Sequence, residues 1–369
     1  MTKKISCFVL LFLIPYSIFH VPCFSQDTDP TGNASKIAKP LGEFLDSRTG
    51  EDAFSGVVMV AKGANVIFIK AYGISDKKTN RLNTVDTRFN IGSLNKMFTA
   101  VAIAQLAQQG KLSFDDVVSK FLPDYPDPVV ANGVSIRQLL THTSGLGNYF
   151  NGKFVSARTK LTTVQSYLPL FQDDRPSFSP GDKYEYSNEG YIVLGAIIEK
   201  ASGEDYYSYV KKHIFIPSGM NSTGFYMDDS AAESMSVAVG FTDFGGKPGE
   251  LKPNTDLREV RGGPAGGGYS SANDLLKFRE ALFGNTLLTP AYTDTVLTGR
   301  VTTPFGMYAF GFGVEHHGTQ TILGHAGGIP GAFARLDMYP DLGYTVVILS
   351  NLDAPGSKPV VEKIRELIK

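Results

Sequence analysis

The sequence predicts one α/β unit: an antiparallel sheet built from the N- and C-terminal segments, flanked by helices, with a central helical subdomain and a cleft between the two. Three observations predict it. Near the start, Val57-Val58-Met59-Val60 and Val66-Ile67-Phe68-Ile69 are β-branched runs separated by Lys62-Gly63-Ala64-Asn65, a hairpin signature. After about Tyr308 strand signals return, and Tyr344 to Leu349 is a near-continuous apolar run, as in a central strand. Between these ends lie apolar stretches with helix caps.

The elements follow in order. Ser93 to Gln109 is apolar and alanine-rich, with Met97, Val101 and Ala104 on one stripe, Ile103 and Leu106 on another, and Gly110 ending the run. That is a buried helix. Ser135-Ile136-Arg137-Gln138 is a capping box for a short helix. Asn188 to Ala201 is another apolar helix, closed by Gly203. Ser271 to Asp274 caps a third, running to Leu282. Pro359 starts a final amphipathic helix with Val360, Ile364, Leu367 and Ile368 inward.

Composition narrows the function. The chain has 369 residues, 42% hydrophobic and 19% charged, which excludes a disordered chain. Its formal net charge of −1 argues against a nucleic-acid partner. Residues 1–25 read as a secretory signal peptide: Lys3 and Lys4, then an apolar run from Ile5 to Ile14, then small residues up to Ser25. The alternative is an uncleaved anchor, if Tyr16 to Phe24 extends the run. Cleavage implies a periplasmic or secreted protein with no stable membrane span. Residues 26–40 read as a polar linker and 41–369 as the folded domain. Cys7 and Cys23 both lie in the leader, so the mature chain has no disulfide, thiol nucleophile or cysteine–zinc site. No paired-histidine zinc pattern is visible, and no metal or cofactor is implied.

Three motifs carry chemistry. Ser-x-x-Lys places a hydroxyl and an amine on one helix face, where a desolvated lysine can take or relay the serine proton. It occurs at Ser75/Lys78, Ser93/Lys96 and Ser208/Lys211. Ser75 sits in a polar turn and Ser208 on a wet face, whereas Ser93 opens the long apolar helix. A serine there also reads as a simple N-cap. Tyr-x-Asn at Tyr186/Asn188 precedes a helix; a phenol beside a lysine cation can have a lowered pKa and serve as base, and the amide can orient substrate or lysine. The bland reading is a buried tyrosine with an N-cap asparagine. A second copy, Tyr149/Asn151, lies in a glycine-rich loop that opens no helix. His-x-Gly at His325-Ala326-Gly327-Gly328 falls between strand signals. Glycines on an edge strand admit a substrate backbone and offer an oxyanion donor. The bland reading is a glycine-softened turn with a solvated histidine. His316-His317-Gly318 is the competing copy, in a solvated turn.

Together, in the order Ser93, Tyr186, His325, these motifs resemble the serine β-lactamase-like superfamily, in the branch of class C β-lactamases, DD-peptidases and β-lactamase-like esterases. Leu139-Leu140-Thr141-His142-Thr143-Ser144-Gly145-Leu146, Phe178-Ser179-Pro180-Gly181, Pro264-Ala265-Gly266-Gly267 and Leu349-Ser350-Asn351 extend the resemblance from about Leu41 to the C-terminus. It implies a serine hydrolase working through an acyl-enzyme on an ester, a D-amino-acid peptide or a β-lactam. Ser93 is then the nucleophile, Lys96 and Tyr186 share the proton traffic, and Asn188, His325, Gly327 and Gly328 bind substrate. The Ser93 and Gly328 N–H groups form the oxyanion hole. The rival is a non-catalytic cell-wall or penicillin-binding relative. One departure matters: class C β-lactamases hold lysine where this chain has His325. His142 reads as a loop-holding residue. Gly262 to Gly268 lacks the Gly-Lys-Ser/Thr of a phosphate loop and reads as close packing near the cleft.

Overall fold

The computed structural model describes residues 33–48, 54–226 and 236–369. The leader expected over 1–25 lies outside the described residues. Eight antiparallel strands form one sheet: β1 (Gly56–Lys62), β2 (Asn65–Tyr72), β3 (Val301–Thr303), β4 (Gly306–Tyr308), β5 (Gly313–His317), β6 (Gln320–Ile329), β7 (Ala332–Tyr339) and β8 (Tyr344–Ser350). Their spatial order is β2-β1-β8-β7-β6-β5-β4-β3. The N-terminal hairpin therefore joins the C-terminal strands through β1 and β8, with Val57 opposite Leu349 and Val60 opposite Val346.

Both faces of this sheet are covered, which is why β1 and β8 read as continuous rather than alternating apolar runs. The period-2 alternation survives in which core each side chain enters. Val57, Met59, Val347 and Leu349 face the larger core beneath the helical subdomain. Val58, Val60, Val346 and Ile348 face a second core made by the terminal helices α1 (Asn33–Asp46) and, last in the chain, α6 (Lys358–Leu367). Each such fully buried Val or Ile contributes about 1.5–3 kcal/mol.

Helix α1 corrects the linker expected over 26–40: helix begins at Asn33. Ile37, Leu41 and Leu45 form an i, i+4, i+8 stripe in the same core as Val360 and Ile364. Pro40 lies inside this helix. An interior proline costs about 3 kcal/mol and signals a break, but docking of the stripe outweighs it.

The subdomain is built on α2 (Asn95–Gln108), α3 (Ile136–Leu140), α4 (Asn188–Ser202) and α5 (Ala272–Phe283). Every residue of α2 from Asn95 to Ala107 is buried, so the helix has no solvent face and its two apolar stripes merge. Ser135 and Gln138 form the expected reciprocal capping box on α3. Ser187, rather than Asn188, caps α4, accepting a hydrogen bond from the Gly190 N–H, and Gly203 closes it in the left-handed conformation. No helix of the described residues is long and apolar enough to cross a membrane.

Candidate active site

Ser93 lies in a single 3-10 turn, Gly92–Leu94, that leads into α2. The turn is held from both sides. The Ile91 N–H donates to Gly268 O at 2.8 Å, and the Gly92 N–H to Asn90 Oδ1 at 2.9 Å. Gly92 has φ +47°, and a side chain there would meet Gly328 N at 2.8 Å. A side chain at Gly327 would collide with Ile91 O and lie 2.8 Å from Ser93 N. These glycines let β6 press directly on the serine turn, backbone against backbone at Gly92–Ser93 and Gly327–Gly328. The glycines of 262–268 pack the turn from the other side, as expected: a side chain at Gly266 would stand 3.3 Å from Gly92 O, and one at Gly268 2.8 Å from Asn95 Nδ2.

Strand β6 is not an edge strand, contrary to the sequence reading. It pairs with β7 from Leu323 to Ile329 and with β5 from Gln320 to Gly324. Pairing with β5 stops at Gly324, so from His325 onward one side of the strand is open. The open edge needed for a substrate exists, but only over this half of β6.

Lys96 is fully buried one turn after Ser93. Its Nζ lies 3.2 Å from Ser93 Oγ, 2.6 Å from Asn188 Oδ1 and 2.6 Å from Ala265 O. No carboxylate is among these partners, and burial holds its pKa well below the usual lysine value. A neutral amine has two N–H groups and one lone pair. Asn188 Oδ1 and Ala265 O accept the two N–H groups, which leaves the lone pair for the Ser93 hydroxyl. The Tyr186 ring lies 4.7 Å from Nζ. Tyr186 departs from the expected lowered pKa: burial pushes its phenol up, and a hydrogen bond with Ser93 offsets this only in part. Tyr186 is therefore a phenol and proton donor at neutral pH, and the amine is the better base.

The Tyr186–Asn188 segment is positioned from behind by His142. Its Nδ1 accepts from the Ser187 N–H at 3.1 Å, and its carbonyl from the Glu185 N–H at 2.9 Å. Because a backbone N–H can only donate, Nδ1 is unprotonated and the imidazole carries its proton on Nε2. The expected loop-holding role is thus a two-point clamp, made from the left-handed conformation at φ +59°. Asn188 Nδ2 donates to Asn148 Oδ1 at 3.1 Å, which turns the Asn188 carbonyl oxygen toward Lys96.

Next to Asn188, buried Glu189 accepts from the Gly147 N–H at 2.7 Å. Burial pushes its carboxyl from 4.5 up to about 7. Between those values the folded chain binds a proton that the unfolded chain does not, so stability falls as pH rises through the window. Glu189→Gln keeps an acceptor for Gly147. We expect the wild-type thermal midpoint to fall between about pH 5 and pH 8, and the Gln variant to lose most of that slope. Equal slopes in a calorimetric series would exclude Glu189 as the source.

His325 Nδ1 lies 2.5 Å from Ala326 O, so it carries a proton; Nε2 lies 2.9 Å from Tyr308 Oη on β4. Burial pushes its pKa down to about 3. The imidazole is neutral at neutral pH, with its N–H spent on Ala326 and its acceptor facing the Tyr308 hydroxyl.

The β-lactamase family model matches residues 41–368. The chain belongs to the β-lactamase family. It is 31% identical over 329 residues to a penicillin-binding protein of Bacillus subtilis (strain 168), covering 85% of this chain and 71% of that one. It is 28% identical over 398 residues to Esterase EstB of Burkholderia gladioli, covering 92% and 98%. Among solved structures, a penicillin binding protein from Bacillus halodurans superimposes with a TM-score of 0.79 at 31% identity, covering 89% and 98%.

Within this β-lactamase-family site the structure brings together Ser93, Lys96, Tyr186, Asn188, His325, Gly327 and Gly328. The competing copies fall elsewhere. Ser75 is buried in a hairpin, donating to Arg81 O at 3.0 Å, while Lys78 is exposed. Ser208 and Lys211 are both exposed. His316 and His317 are exposed at the β5–β6 turn, as expected. Asn151 does open a helix, contrary to expectation: it caps Gly152–Ala157, accepting from the Phe154 N–H at 3.1 Å. Sequence reading missed Asn148, Tyr308 and the Ala265 carbonyl. Asn148 and Tyr308 reach their partners from separate segments, 40 and 17 residues away, and a backbone carbonyl has no residue signature.

Proposed function

We propose that this chain is an exported serine hydrolase that forms an acyl-enzyme at Ser93 and prefers substrates without a carboxylate, carboxylic esters or D-amino-acid peptides blocked at the C-terminus, to β-lactams. The observation that carries the reading is Lys96 Nζ, desolvated and 3.2 Å from Ser93 Oγ. As Oγ attacks the carbonyl carbon, its proton passes to the Lys96 amine. The oxyanion is met by the Ser93 and Gly328 N–H groups. Collapse of the tetrahedral adduct expels the alkoxide or amine, which takes a proton from the Tyr186 hydroxyl; Lys96 returns one to Tyr186. Water then attacks the acyl-serine by the reverse proton path.

The substrate preference rests on His325. Its single imidazole proton is already bonded to Ala326 O, so it offers no cation and no free N–H to a substrate carboxylate. Labelling with a fluorescent fluorophosphonate and a fluorescent penicillin tests the reading. Rapid fluorophosphonate labelling, lost in Ser93→Ala, supports it. Labelling by neither reagent indicates the non-catalytic relative, and faster penicillin labelling overturns the preference. For export, N-terminal sequencing of protein recovered outside the cytoplasm should begin near Gln26.

His325→Lys should shift preference toward carboxylate-bearing substrates. An ammonium that stays charged at neutral pH gives a charge-assisted hydrogen bond worth about 1.5–3 kcal/mol, roughly ten- to a hundredfold in kcat/KM. A neutral p-nitrophenyl ester gains nothing and can lose, because the lysine is desolvated without a partner. The measurement is the nitrocefin-to-ester ratio of kcat/KM in wild type and variant; an unchanged ratio would place His325 away from the substrate carboxylate.

A further inference from the structure

Both neighbours of Asn188 grip the same glycine. Ser187 Oγ donates to Gly147 O at 3.0 Å, and the Glu189 N–H donates to that oxygen at 3.3 Å. In return the Gly147 N–H donates to Glu189 Oε2 at 2.7 Å. Asn188 Nδ2 meets the next residue, at 3.1 Å from Asn148 Oδ1. Residues 147–148 are thus tied to 187–189, and of these four hydrogen bonds the shortest is the one with an ionisable acceptor, the Glu189 carboxyl.

The tie bears on the reacting groups. Asn148 is exposed, so packing does little to fix its side chain, whereas its backbone is fixed by Gly147 one residue earlier. If Gly147 shifts, Asn148 moves with it. The Asn188 amide then loses the partner that turns Oδ1 toward Lys96 Nζ, 2.6 Å away. The bond from Gly147 lowers the Glu189 pKa against the burial that raises it, so it is stronger to the carboxylate than to the acid. The charged and titratable groups facing Glu189 are Lys153 and Asp174, exposed and 4.0 Å from each other, and Tyr125 and Tyr149, whose phenols burial keeps protonated. The first two offset each other and the last two stay neutral, which leaves the Glu189 carboxyl as the group that changes charge near neutral pH.

We propose that Glu189 is a positioning residue: its carboxylate holds the Gly147 N–H and, through Asn148, fixes the Asn188 amide against Lys96. The consequence for acylation rests on the acyl-enzyme reading above; the clamp itself does not.

Glu189→Gln keeps the size and an acceptor and loses the charge. The wild-type rate constant for fluorophosphonate labelling of Ser93, divided by that of the variant, cancels the Lys96 ionisation common to both. This ratio is expected to be about fivefold at about pH 8.5 and about one at about pH 5.5, with its midpoint near the Glu189 value of about 7. In an Asn148→Ala background it should stay at about one throughout, because the link to Asn188 is gone. Gln is isosteric and Asn148 is exposed, so these variants should fold. Hydrogen exchange at the Gly147 amide, which needs no turnover, tests the clamp directly. Corrected for intrinsic exchange, protection should rise about fivefold between about pH 6 and about pH 8 in wild type and stay constant in the Gln variant. Constant protection in wild type overturns the proposal whether or not the protein is an enzyme. So does a labelling ratio independent of pH, or one that persists after Asn148→Ala. Wild-type protein that no probe labels, but whose Gly147 protection follows pH, would sink the acyl-enzyme reading and leave the clamp in place.

Discussion

Ser93→Ala is expected to lower kcat for a p-nitrophenyl short-chain ester on the order of 10,000-fold or more, because it removes the hydroxyl placed 3.2 Å from the Lys96 amine. The thermal midpoint should hardly move. Ser93 is half-buried, and its hydroxyl is the lesser of three partners of the Lys96 amine, at 3.2 Å against 2.6 Å for the other two. Stability and activity therefore separate in this variant. Ser75→Ala should do the reverse, keeping activity while removing a hydroxyl that ties a hairpin through Arg81. Loss of turnover in Ser75→Ala with an intact fold would show that the nucleophile has been placed on the wrong copy.

Lys96→Arg is expected to be as damaging to turnover as Lys96→Ala, with kcat reduced on the order of 100- to 10,000-fold in both. Arginine keeps a positive charge and can donate to Asn188 and Ala265. It cannot give up a proton at any working pH, so it has no lone pair for the serine hydroxyl. The two variants should differ in stability for different reasons. Alanine leaves Asn188 Oδ1 and Ala265 O without their donor, at about 1–3 kcal/mol for each buried group. Arginine overfills a fully buried slot, at about 1–3 kcal/mol. Single-turnover kinetics and thermal midpoints measured on the same samples distinguish lost chemistry from lost fold. Near-normal acylation by the arginine variant would mean that Lys96 acts as a fixed cation, and the base would have to be sought at Tyr186.

The elements that could be read from the chain are those whose signal is local. Helix α2, the capping box at Ser135, the αL glycine at Gly203 and strand β8 each announce themselves within about a dozen residues, and each is present. Helix α1 was hidden because Pro40 and Gly42 are local breakers, while the compensation comes from the far end of the chain in Val360 and Ile364. That β6 is an edge strand only from His325 onward was hidden for a similar reason: where its pairing with β5 stops is a property of two strands together.

The same division runs through the site. By itself the sequence determined which residue types are present and which pairs can meet: a helical i, i+3 spacing forces Ser93 and Lys96 together wherever that helix is packed, and glycines at 92, 327 and 328 permit close backbone approach. Only the tertiary structure decided which of the three Ser-x-x-Lys copies is desolvated, since burial of Lys96 comes from α4, the 262–268 segment and the ring of Tyr186, none of them adjacent in the chain. It likewise decided which protons are held where. Burial lowers the Lys96 pKa and raises that of Tyr186 because desolvation favours the neutral form of each, and the neighbours that set that cost are assembled by folding.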